Sequence, residues 1–418
     1  MQLKHLISKT CVKCSTEYPA DSNIMTCPNC GIEGILDFQY DYEYVKKQWK
    51  PFLHSYPGED VFRFSLLYPL DPHGEKPRMQ VGPSPLVRAP RLEKKMNLQG
   101  IFLKDDGRLP SASFKDRASI VAIADALSRK KQLITAASTG NAASSLACLC
   151  AAQGIKTVIF VPASAPPAKL SQLLTFGARV FAVEGTYDDA FELSLQAAKH
   201  FNWYSRSTAV NPVLSEGKKS GIFELYYQLE ANDFPDHIFV SVGDGCIVGA
   251  LAKGLLELKE LGMINSIPHL NGVQSTGSQV IYQAWKQGRE QIEPVAATTR
   301  ADSISVAFPR DHIKAIRNLK KCGGSFMTVE DEEVFEAGYV LGCNTGIFAE
   351  PAAAAAFAGL LKRHSRGEIG STQKAAVFIT GSGLKDVAGA AKAASTSIRL
   401  NKGPQVLETV GEALSDWI

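Results

Sequence analysis

Between Lys131 and Lys199 extended and helical patterns take strict turns: Leu133 to Ala137, Ala142 to Gln153, Lys156 to Val161, Pro167 to Phe176, Arg179 to Val183 and Tyr187 to Lys199. Short strands separated by helices cannot pair as hairpins, so this stretch predicts a parallel sheet covered by helices on both faces. Such sheets bind ligands at the carboxyl ends of their strands. The first of those ends reads Ser138-Thr139-Gly140-Asn141-Ala142. Gly140 lets a ligand approach the backbone, and the next helix turns free N–H groups and its positive dipole end outward. That makes a cradle for an amino-acid carboxylate; an ordinary helix N-cap is the competing reading.

A second junction surrounds Lys115, in Ser111-Ala112-Ser113-Phe114-Lys115-Asp116-Arg117. Gly100 to Lys104 reads as a buried strand, Gly107 to Pro110 as a turn, and Ala118 to Ser128 as a helix. The helix dipole and Arg117 are both expected to disfavour a charged ammonium at Lys115. An amine poised in this way attacks carbonyls and suits Schiff-base chemistry. A third junction follows the apolar run His237 to Val242: Gly243-Asp244-Gly245-Cys246, then a long helix. A glycine turn at a helix start aims consecutive amides at one spot and is a phosphate site by construction. Its GxGxxxG spacing, far into the chain, argues against a dinucleotide fingerprint. Cys246 is expected to pack, since Lys115 already supplies a nucleophile.

The chain has 418 residues, 45% hydrophobic, with a net charge of +3, enough for two or three globular domains. The near-balanced charge gives no reason to expect nucleic acid or a membrane as partner. No apolar run resembles a signal peptide or a bilayer span, so a cytoplasmic location is expected. Four of nine cysteines, Cys11, Cys14, Cys27 and Cys30, form two CxxC knuckles. Four thiolates on facing turns suit a structural Zn²⁺ with no open coordination position. A pair of redox dithiols, a ribbon without metal and a nucleic-acid-binding ribbon are the alternatives.

Ser113-Phe114-Lys115-Asp116-Arg117 resembles the pyridoxal-phosphate lysine of the fold-type II family, the tryptophan synthase β superfamily, in the form of its threonine synthase branch. The resemblance runs from about Gly82 to about Leu384. It implies an α/β fold of two open twisted sheets flanked by helices, beside a small N-terminal four-cysteine zinc ribbon such as some threonine synthases carry. The domains it implies are residues 1–40 for the ribbon, 41–130 with 206–418 for a large cofactor-binding domain, and 131–205 for a small mobile one.

The resemblance also implies roles. Lys115 anchors pyridoxal 5′-phosphate and serves as acid and base. Asn141 binds the pyridoxal 3′-hydroxyl, while Ser138, Thr139 and Ala142 take the substrate carboxylate. Gly243, Asp244, Gly245 and Cys246 hold the 5′-phosphate. In Thr380-Gly381-Ser382-Gly383-Leu384-Lys385-Asp386, Thr380 meets the pyridine nitrogen, and Ser382 replaces a family His as a reserve candidate. A hydroxyl at that nitrogen makes a weaker electron sink than a carboxylate would, which suits elimination followed by addition. Ser303 to Arg310 matches an active-site loop, and Glu350-Pro351 a helix start.

The phosphate grip departs from the family at three positions. The Asn-Ser pair and Arg that grip the phosphate of O-phosphohomoserine are matched here by Thr208, Ala209 and Leu214. Lys218 or Lys219 would have to substitute, solvated helix lysines being the competing reading. Asp244 would repel a phosphate, so its carboxylate is expected to turn outward and accept amide hydrogens of its own loop. The implied activity is conversion of O-phosphohomoserine and water to threonine and phosphate by a homodimer. Its alternatives are a cysteate synthase-like replacement on O-phosphoserine, serine/threonine ammonia-lyase action, or a non-catalytic relic.

Overall fold

The computed structural model describes residues 3–229, 233–394, 397–400 and 406–414. The outer bounds of the expected ribbon and large domain, Met1 and Ile418, and Ser395 at the head of the C-terminal tail lie outside those residues. Strands β1 (Leu6–Cys11), β2 (Glu17–Pro19) and β3 (Leu36–Tyr40) form an antiparallel sheet in the order β2-β1-β3. In β3 the period-2 alternation turns Leu36, Phe38 and Tyr40 inward. Asp37, between them, accepts from the Lys253 and Lys314 amines at 2.9 and 2.7 Å, which ties this small sheet to the main body.

Strands β4 (Leu86–Arg88) and β5 (Gly100–Asp105) precede β6 (Leu133–Ala137), β7 (Lys156–Pro162), β8 (Arg179–Val183) and β9 (Tyr204–Ser205). The last four pair in parallel in the order β8-β7-β6-β9. This is the sheet predicted from the alternation, with one addition. β9 spans two residues, too short for any periodicity to show. Strands β10 (His237–Ser241), β11 (His269–Ser275), β12 (Ser325–Val329) and β13 (Lys374–Ile379) join β5 and β4 in a second sheet, ordered β12-β11-β10-β13-β5-β4. Only β4 runs antiparallel in it, at the edge. Every residue of β5 and β10 is buried, as expected of strands covered on both faces.

The helices Lys115–Ser128 and Val213–Gln228 cross where Gly217 meets the backbone of Arg117; a Cβ at 217 would lie 3.0 Å from the Arg117 carbonyl carbon. That close crossing buries the polar residues flanking it. Arg117 is wholly buried, its guanidinium donating to both carboxylate oxygens of Asp106 and of Glu224 at 2.7 to 2.9 Å. Lys104 reaches Glu224 at 2.8 Å from the other side. Lys219 is also wholly buried, between Glu216 at 2.6 Å and Glu257 at 2.8 Å. Lys218 is 2% exposed. Neither lysine is a solvated helix residue, because this helix is enclosed from Val213 to Leu225. Among the described residues no helix is long and apolar enough to cross a membrane.

Candidate active site

The carboxyl ends of β5, β6, β10 and β13 lead to one cleft, lined by Lys115, Asn141, Thr208, Ser241, Gly243 to Val248, Ser303, Glu350 and Thr380 among others. Residues from three separate strand-to-helix junctions thus meet in one place. Lys115 opens its helix with the side chain half-buried in the cleft wall. Its amine is pulled from 10.5 to about 8, first by burial, then by the positive charges of Lys218 and Arg206. At pH 7 that leaves roughly one amine in ten neutral, against roughly one in three thousand for an ordinary lysine. Arg117, expected to depress this amine, is instead locked between Asp106 and Glu224. Lys218 and Arg206 exert the effect it was expected to supply.

On the opposite side, Gly245 has φ +89° and caps the helix Cys246–Glu260. An added Cβ would come within 2.9 Å of the Ala315 Cβ, so both the conformation and the space require glycine. The first-turn amides at Cys246, Ile247 and Val248 have no helical acceptor and border the cleft. Burial pushes the Cys246 thiol well above its ordinary range, which keeps it neutral. The Asp244 carboxylate does not fold back onto its own turn as expected. It accepts from the Arg310 amide at 3.3 Å, so the 303–310 loop supplies that hydrogen.

Asn141 begins the helix after β6 and donates through Nδ2 to both Glu350 oxygens, at 2.9 and 3.1 Å. Glu350 is 3% exposed; burial lifts its carboxyl to about 7, against the pull of Asn141, Lys385 and Lys115. Thr380, at the end of β13, lies 3.4 Å from the Ser241 hydroxyl. Ser138 accepts from the Gly140 amide at 3.2 Å, and with Thr139 and Ala142 it lies half-buried beside Asn141. Ser382 caps the following turn by accepting from the Leu384 amide at 3.3 Å, a use of its hydroxyl that leaves Thr380 nearer the cleft. The four cysteines Cys11, Cys14, Cys27 and Cys30 cluster with all sulfurs within 4.8 Å of one another, a donor set compatible with a metal ion.

Sequence reasoning missed Arg206, which follows β9 and is 1% exposed. Two residues of strand gave no signal that its side chain turns inward. Glu350 carried a signal in the Glu-Pro pair, but only the structure places its carboxyl against Asn141.

An amine held near neutrality, facing a glycine turn that offers free amides, fits an aldehyde cofactor bearing a phosphate. Residues 77–381 match the pyridoxal-phosphate dependent enzyme family, and the chain belongs to it. Within that family it is threonine synthase-like. It is 33% identical to the threonine synthase of Methanocaldococcus jannaschii over 96% of this chain and 98% of that one. It is 34% identical to the threonine synthase of Methanosarcina acetivorans, covering 90% and 91%. Among solved structures, threonine deaminase isoform 2 of Solanum lycopersicum superposes with a TM-score of 0.65 at 18% identity over 88% of each chain. Diaminopropionate ammonia lyase of Escherichia coli does so with 0.65 at 18%, over 84% of this chain and 91% of that one. These last two share the fold.

Proposed function

We propose that this chain is a threonine synthase, converting O-phosphohomoserine and water to threonine and inorganic phosphate. The observation that carries the reading is the meeting of Lys115, Asn141, Thr380 and the 243–246 turn in a single cleft, in a chain similar along nearly its full length to threonine synthases. Pyridoxal 5′-phosphate would be held by those residues and, when bound, supplies an electron sink for the pair released at the substrate Cα. The chain's own groups do the rest. Nζ of Lys115, brought down from 10.5 to about 8, receives the α-proton in its neutral form and can return it. Ser138, Thr139 and the amides of the helix beginning at Asn141 orient the substrate carboxylate. The Thr380 hydroxyl would face the ring nitrogen and can donate or accept there without imposing a charge.

The same reading includes residues 131–205 as a mobile unit closing over the cleft, a homodimer in solution, and Zn²⁺ held by the four cysteines as a structural cross-link. The assay is phosphate release from O-phosphohomoserine and from O-phosphoserine, each with and without sulfite, with ammonia release from serine and threonine beside it. Turnover of O-phosphohomoserine to threonine supports the reading. Turnover of O-phosphoserine with sulfite alone, or ammonia release alone, replaces it.

A further inference from the structure

Eight lysine and arginine side chains in the described residues are buried: Lys9, Lys104, Arg117, Arg206, Lys218, Lys219, Lys253 and Lys314. Five of them have a carboxylate at 2.6 to 2.9 Å. Lys9 donates to two backbone carbonyls. Arg206 and Lys218 differ: among the described residues neither has a carboxylate within 4.0 Å. Among the described residues the Arg206 side chain has one hydrogen bond, from Nε to the Ser119 hydroxyl at 3.1 Å, and its Nη2 is buried with no partner. A desolvated charge left unpaired is costly, so the folded chain tolerates two adjacent ones only where an anion completes them.

Their setting identifies the anion. Lys218 feels the charges of Cys246, Arg206, Asp311 and Lys314 and acts on Lys115, and Cys246 and Lys115 line the cleft, so the pair lies behind the cleft wall near the amine. Arg206 faces Cys246, Asp116, Tyr187 and Cys150. The acids there do not pair with them: Asp116 is held by the amide and hydroxyl of Ser111, and Asp311, whose Oδ1 is buried without a hydrogen-bond partner among the described residues, lies more than 4.0 Å from either cation. The cofactor's phosphate would take the amides of the 243–246 turn. Lys218 lies one helical turn beyond Leu214 on the same helix, and Arg206 two residues before Thr208. Both therefore flank the positions where the phosphate grip of the family is absent.

We propose that Arg206 and Lys218 form the binding site for the substrate's phosphate group, a relocated grip that replaces the groups missing at 208, 209 and 214. This inference rests on the reading of the substrate as a phosphate ester of a small amino acid. A second phosphate in the cleft also returns Lys115 toward its unperturbed state, so substrate binding and the basicity of the amine are linked.

The test is equilibrium titration of the purified holoenzyme with inorganic phosphate, for the unmutated protein and for R206Q, K218Q and the charge-retaining R206K and K218R. Phosphate should bind the unmutated holoenzyme in competition with O-phosphohomoserine. Its affinity should fall about 10- to 100-fold in each glutamine variant and stay within about fivefold in the charge-retaining ones. Affinity of the cofactor-free protein for pyridoxal phosphate should change by no more than about threefold. Unchanged phosphate binding in R206Q and K218Q overturns the proposal. So does a loss confined to pyridoxal phosphate affinity, which would give the pair to the cofactor. If the glutamine variants do not fold, failure of phosphate to compete in the unmutated holoenzyme refutes it. Phosphate held by the pair without turnover of O-phosphohomoserine keeps this site and discards the threonine synthase reading.

Discussion

Replacing Arg117 by methionine separates two roles that its place beside Lys115 makes easy to confuse. In the structure Arg117 is a keystone for Asp106 and Glu224, with no direct part in tuning the amine. Burial alone would raise the Glu224 carboxyl, yet Arg117 and Lys104 together bring it from 4.5 down to about 2. A folded-state pKa below the unfolded one contributes stability that is present above pH 4.5 and lost as the pH falls toward 2. The shift corresponds to about 3 kcal/mol at neutral pH. R117M leaves Asp106 and Glu224 with one cation between them, and breaking a buried pair in this way costs about 3–5 kcal/mol. For a chain of this size that lowers the thermal midpoint by about 3–6 °C. The second readout is the rate of pyridoxal phosphate uptake by the cofactor-free protein as a function of pH. Its rise follows deprotonation of Lys115 and should keep a midpoint near 8 in R117M, while K218M moves it upward. A stable R117M whose midpoint rises would show that Arg117, and not Lys218 with Arg206, depresses the amine.

Three other substitutions probe separate parts of the site. Gly245→Ala must place a Cβ at φ +89° and against Ala315; the strain of about 1–2 kcal/mol and the displaced amides should weaken pyridoxal phosphate affinity at least about tenfold in a fluorescence titration. Glu350→Gln in the cofactor-free protein should raise the thermal midpoint at pH 8 and leave it nearly unchanged at pH 4. A carboxyl whose folded pKa is raised to about 7 loses stability as pH climbs from 4.5 through 7, and the amide does not titrate. Cys14→Ser should abolish the metal content measured by a colorimetric zinc assay, and retention of metal would take Cys14 out of the ligand set.

The sequence patterns that survive translation into structure are local ones. The alternation from Leu133 to His200 shows because strands and helices repeat with different periods, and the glycine turn at 243–245 shows because amides need space. Burial by tertiary contact leaves no such trace. Lys218 and Lys219 read as helix-surface charges, yet the helix that carries them is enclosed, and the acids that answer Lys219 include Glu257, 38 positions on. Arg117 meets Glu224 across 107 positions, which a single chain read in order cannot reveal. Gly217 and Gly221 were the available hint: small residues a turn apart on a helix mark a close crossing, and a Cβ at either would press on Arg117 or on Phe378 and Phe114.

Borohydride reduction of the purified enzyme followed by peptide mapping bears on the anchoring lysine without any intermediate assumption. The protein should be yellow, with the reduced phosphopyridoxyl group on the peptide containing Lys115 and the K115A variant colourless and unlabelled. A colourless unmutated protein, or a label on Lys218 or any lysine other than Lys115, would overturn the assignment.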